Sequence, residues 1–149
     1  MALYDAGLAE SGLDAATQRD LREKAAVWRW VHVAESQAQA ADELAAALLE
    51  TRRHQLHARA THNPPDFQVQ DSRVNPWNDP HLSHEDGVTY ALENSSLYGS
   101  PATVTEQVAA LRDAGAQHVL CQMSIGGMPH ARVIAAMRLF GAQVIPKLR

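Results

Sequence analysis

The sequence predicts a helix-rich α/β fold with few, parallel strands, and three observations carry that prediction. Apolar residues make up 46% of the 149 positions while aromatics make up only 5%. Much of the apolar content is alanine, which favours closely packed helices over a core of large rings. Two apolar strand patterns are separated by helical ones, and only a long crossover returns a chain to run parallel with itself. The length suits a single domain, 1–149.

Taken in order, Leu3, Tyr4 and Leu8 recur at helical spacing, and Gly12 follows where a left-handed cap ends helices. Residues 18–26 are polar and helix-compatible. Residues 27–33 alternate apolar and polar side chains through Trp28, Trp30 and His32, the period of a strand. Glu35 and Ser36 then lead into an alanine-rich stretch to about Ala60. There Ala40, Leu44, Ala47 and Leu48 form an apolar stripe, predicting the longest helix of the chain. Residues 61–97 change character. Pro64, Pro65, Pro76 and Pro80 interrupt helical and strand ladders alike, so this segment reads as a long loop or insertion.

The last third, residues 98–149, reads as helix, strand, helix. Ser100 is an N-cap with Pro101 at the first helical position, Val104, Val108 and Leu111 share a face, and Gly115 terminates the helix. Residues 118–123 form a short apolar run suited to a strand buried on both faces. Residues 124–127 make a turn. Pro129 opens a final helix whose apolar positions Val133, Met137, Phe140 and Val144 recur every three or four residues, and Pro146 stops the pattern.

A net charge of −4, with Lys and Arg scattered along the chain, offers no basic patch for a phosphate backbone, so nucleic acid is excluded as an expected partner. Cys121 is the only cysteine. Its apolar neighbours Val119 and Leu120 mark it as a buried small hydrophobe in a reducing compartment. No apolar run approaches the roughly 20 residues that span a bilayer, and no charged-then-apolar leader opens the chain. A cytoplasmic protein without membrane contact is expected.

Two parallel strands cannot shield each other, so the pattern calls for about six more strands, or another chain, to close a barrel. At this point the residues carry a resemblance. The runs Tyr98-Gly99-Ser100-Pro101-Ala102-Thr103-Val104, Ala114-Gly115-Ala116-Gln117-His118-Val119-Leu120-Cys121, Met137-Arg138-Leu139-Phe140 and Val144-Ile145-Pro146-Lys147-Leu148-Arg149 resemble, in order and spacing, the end of a luciferase-like monooxygenase. Residues 28–40, with Val33-Ala34-Glu35-Ser36 entering the alanine-rich helix, are similar to that family's seventh barrel strand and the helix after it. Residues 61–97 match no pattern of the family and fall where its variable insertion lies.

The resemblance implies the C-terminal portion of a (β/α)8 barrel, the TIM barrel. Reduced flavin, FMN in preference to a deazaflavin, would react there with oxygen and oxygenate a small organic substrate. Most catalytic positions would lie upstream of this sequence, so none is assigned. It also implies another copy or a barrel-completing partner chain. The alternative is a non-catalytic binding or assembly subunit that completes a barrel with its partner.

Barrel chemistry sits at the carboxyl ends of the strands. Ser124, Gly126 and Gly127 follow the last strand and are candidates for the lip of a flavin or substrate pocket, or for a tight turn requiring positive φ. Ser100 heads a helix whose N–H groups suit either an anion or plain capping. His54 and His57 share a helical face without an acidic or cysteine partner. His81, His84, Glu85 and Asp86 match no zinc or calcium spacing, so no metal is expected and loop solvation is the default. Trp28 and Trp30 share one strand face as core or interface anchors.

Overall fold

The computed structural model describes residues 1–64 and 75–148. Its centre is β1 (Ala26–Val33), hydrogen-bonded on one side to β2 (Ser96–Gly99) and on the other to β3 (His118–Gln122), all parallel, in the order β2-β1-β3. Trp30 stands opposite both Ser96 and Gln122, so β2 flanks the carboxyl half of β1 and β3 its amino half. The described residues also form six α-helices: α1 (Ala2–Glu10), α2 (Ala15–Lys24), α3 (Gln37–His62), α4 (His84–Ser95), α5 (Pro101–Asp113) and α6 (His130–Leu139). The end of the chain tightens into a π-helical turn, Phe140–Val144, and a 3₁₀ turn, Ile145–Leu148.

Alternation along β1 sorts the core into two layers. Trp30 packs with Leu44, Leu48, Val88 and Ala91 under α3 and α4. Val31 and Val33 pack with Leu97, Val104, Ala136 and Val144 under α5 and α6. Helices therefore cover both faces of the sheet. The parallel α/β class holds. The three described strands form an open sheet, whereas a (β/α)8 barrel keeps all its helices on one side. Three strands cannot close on themselves, and both apolar faces of β1 need cover.

Local signals set most boundaries. The Ser36 hydroxyl accepts the Gln39 N–H, and the Ser100 hydroxyl accepts the Thr103 N–H, with Pro101 opening α5 as expected. The Asp14 carboxylate accepts from Ala16 and Thr17 at the head of α2. Gly115, at φ 89°, ends α5, and Gly12, at φ 72°, follows α1. The first two helices are held by few ties. Arg22 pairs with Asp5 at 2.5 Å and donates to the Gly115 carbonyl at 2.8 Å.

Three expectations are corrected. Residues 84–95 are helix and the strand 96–99 begins inside the segment read as a loop or insertion; residues 65–74, which include Pro65, lie outside the described residues. The Ser83 hydroxyl caps α4 by accepting the Asp86 N–H, a signal that the surrounding prolines obscured. Second, β3 is an edge strand, with Leu120 at 57% exposure, rather than one buried on both faces. An apolar run reports a strand but not whether helices will cover it. Third, Cys121 is accordingly exposed. No helix among the described residues is long and apolar enough to cross a membrane.

Candidate functional site

The turn after β3 leaves the carboxyl end of that strand and folds onto the α3 side of the sheet. Ile125 anchors it. That side chain is 1% exposed and packs in the core of α3 and α4, while the Met128 N–H closes the turn on the Ile125 carbonyl at 3.1 Å. Gly126 adopts φ 50°, and a Cβ there would lie 2.6 Å from the Ala47 carbonyl oxygen and 2.7 Å from the Thr51 Oγ1. Gly127 donates its N–H to the Glu50 carboxylate at 3.0 Å. Between turn and helix lies a cleft of about 400 Å³ lined by Glu50, Thr51, His54, Gln55, Gly126 and Gly127.

Gly126 and Gly127 thus line a cleft, and at Gly126 the packing of α3 accounts for the lack of a side chain. Gly126 needs a left-handed backbone against helix carbonyls. At Gly127 the neighbour is only the mobile end of Glu50. Ser124 is exposed, lies outside the cleft lining, and accepts from the Gln122 side chain through its carbonyl at 3.4 Å. Ser100 sits on α5, with its hydroxyl engaged by Thr103, and does not join the cleft.

A second hollow, of about 280 Å³, shares Thr51 and Gln55 with the cleft and is further lined by Trp28, Trp30, Trp77 and Asn78. Trp28 and Trp30 do share a strand face, with ring centroids 4.7 Å apart. Trp30 is buried as a core anchor, but Trp28 remains 41% exposed.

What positions this wall is Arg52, a residue the sequence reading passed over. Its guanidinium is fully buried. Nε donates to the Trp77 carbonyl at 3.2 Å, Nη1 to His84 Nδ1 at 3.1 Å, and Nη2 to the Asp79 and Leu82 carbonyls at 2.7 and 3.1 Å. Burial holds its pKa below the usual arginine value, and the carboxylates of Asp79, Glu85 and Asp86 offset this only in part. Gly87 makes room, since a Cβ there would run into the guanidinium. His84 is therefore an acceptor for Arg52 rather than a solvated loop residue. His54 and His57 are exposed on α3, and His81 is exposed before α4.

The other missed group is His32, 1% exposed. Its Nε2 bonds the Glu43 carboxylate at 2.8 Å, and its Nδ1 has no partner among protein atoms. Burial works to raise the Glu43 pKa. Hydrogen bonds from His32 and Gln39 and the positive charge of Arg132 outweigh it and hold Glu43 below the usual carboxylate value. Arg132 reaches Glu43 at 3.5 Å from the first turn of α6, so this cluster ties β1, α3 and α6 together. Its one sequence signal was a histidine at the inward position of the series 28, 30, 32. No protein-family model matches the chain, and no curated protein matches it.

Proposed function

We propose that the chain is the C-terminal portion of a luciferase-like flavin-dependent monooxygenase that uses reduced flavin, FMN in preference to a deazaflavin, and oxygen to oxygenate a small organic substrate. The observation that carries this reading is the placement of Gly126 and Gly127. The turn of the family-like C-terminal segment lines a cleft of ligand size beside an aromatic hollow. The residues present suit the edge of a flat ring better than a phosphate. Glu50 already takes the Gly127 N–H and brings negative charge, so a flavin phosphate would have to be held by other parts of the barrel. The exposed β3 edge fits a sheet that continues into further strands, supplied by another copy or a partner chain. The same edge favours the second reading, a non-catalytic subunit that completes a partner's barrel. Closing a (β/α)8 barrel would require one of the two helical layers to leave its face of the sheet.

The test measures FMN binding by fluorescence and oxygen uptake with reduced FMN. The 149-residue chain alone is expected to bind FMN weakly, and both signals are expected once the earlier barrel strands are supplied. Tight stoichiometric FMN binding by this chain alone would refute its incompleteness. A complemented barrel that binds no FMN would refute the flavin reading and leave the assembly role.

A further inference from the structure

We propose that the hollow lined by Trp28, Trp30 and Trp77 binds a planar aromatic ligand bearing carbonyl or carboxylate oxygens; its assignment as the substrate subsite rests on the flavin reading above. Its size comes first. At about 280 Å³ it lies near the lower end of ligand pockets, room for one or two rings. Its walls are aromatic. The Trp28 and Trp30 rings meet nearly edge to face at 70°, and Trp30 and Trp77 lie 4.8 Å apart, tilted by 54°. These contacts fix the orientation of Trp28, and its 41% exposure leaves ring surface for a ligand to cover.

The polar rim is more selective than the walls. Gln55 Oε1 accepts from Trp77 Nε1 at 2.9 Å, and Asn78 Oδ1 accepts from Arg59 Nη1 at 2.8 Å. Indole and guanidinium nitrogens can only donate, so both amides must present their oxygens to these partners. Among the described residues neither NH₂ group has a protein partner, so Gln55 and Asn78 can each donate to a ligand. Arg59 adds a positive charge, and no carboxylate belongs to the hollow among the described residues. Donors on the rim and indoles on the walls match a flat ring with acceptor oxygens. They disfavour a cationic or purely aliphatic compound.

Calorimetric titration of the 149-residue chain with salicylate tests this, with cyclohexanecarboxylate as a probe of equal charge without a planar ring. Saturable one-to-one binding of salicylate is expected, with cyclohexanecarboxylate about tenfold weaker or more. Trp28→Ala, at a partly exposed position, should weaken salicylate about tenfold and Trp28→Phe far less. Asn78→Asp, which replaces a donor by an acceptor, should also weaken it, with each fold checked by circular dichroism. Equal binding of the two acids, no binding of salicylate, or undiminished binding by Trp28→Ala overturns the proposal. Salicylate binding by a complemented barrel that takes no FMN would leave the hollow standing and remove the flavin reading. FMN binding without salicylate binding would do the reverse.

Discussion

The two faces of the sheet are held by different physics. Beneath α5 and α6, the buried cluster of Val31, Val33, Leu97, Val104, Ala136 and Val144 is apolar throughout, and its stabilisation scales with area removed from water. Beneath α3 and α4, Trp30, Leu44 and Leu48 share the interior with a buried guanidinium and a buried imidazole. Those polar groups dictate where segments lie, because a buried donor or acceptor must meet its partner. The cleft and the hollow both open on this polar-laced side. Area alone builds a stable layer, whereas directional bonds build a shaped one.

The largest expected effect breaks that contrast at Arg52. Arg52→Ala removes the donors to three backbone carbonyls and to His84, and should cost about 3 to 5 kcal/mol by urea denaturation. Arg52→Lys should rescue little, since an ammonium cannot reproduce the guanidinium fork. A protein with Arg52→Ala that unfolds at the parent's urea midpoint would erase the proposed difference between the faces.

That contrast also explains what the sequence could reveal. Periodicity is local, so the alternation of β1, the stripe of α3, and the Ser100-Pro101 and Gly115 boundaries of α5 were all legible. Arg52 lies 25 residues from Trp77 and 32 from His84, and nothing nearby in sequence marks it as buried. Without that tie, the prolines and polar side chains among residues 76–98 outweighed the spacing of Val88, Ala91 and Leu92, which hid α4 and β2. The exposure of β3 was illegible for the opposite reason. Its composition describes the strand, while its cover depends on elements elsewhere. At the candidate site, Gly126 and Gly127 were legible as a turn, but their packing against α3 was not.

The next effect separates those two glycines. Gly126→Ala must hold an L-residue at φ 50° and bring its Cβ to 2.6 Å from a helix carbonyl, so a loss of about 1 to 3 kcal/mol is expected. Gly127→Ala meets only the Glu50 carboxylate, which can swing aside, and should cost less than about 1 kcal/mol. Thermal melts of the two variants provide the comparison. Equal losses would mean that the turn does not sit on α3 as described. In a complemented barrel, lost turnover in Gly127→Ala at an unchanged melting temperature would place that residue at the ligand.

Ser100 tests the apolar side at a polar fixture. Its hydroxyl accepts the Thr103 N–H at 3.3 Å, and Ser100→Ala should cost about 1 kcal/mol through loss of the cap. Ser100→Gly should recover most of that, because glycine is tolerated at N-caps. If Ser100→Ala melts with the parent, the cap contributes nothing and the start of α5 is fixed by packing alone.

The smallest expected effect concerns Glu43, because Glu43→Gln keeps an acceptor for His32 and removes only the charge. Hydrogen bonds from His32 and Gln39, with Arg132 nearby, hold the folded Glu43 pKa below its ordinary value despite the opposing pull of burial. Arg132 is 54% exposed and contributes weakly through solvent, so the bond to the buried imidazole should dominate. A carboxylate with a depressed folded pKa stabilises the fold above the unfolded carboxylate range, and that contribution disappears as pH falls through the folded value. The stability advantage of the parent over Glu43→Gln should therefore be flat from neutrality to about pH 5 and shrink below about pH 4. Urea midpoints of both proteins across that range measure it. An advantage that stays constant to pH 3, or grows on acidification, would show that the charge on Glu43 takes no part in joining β1, α3 and α6.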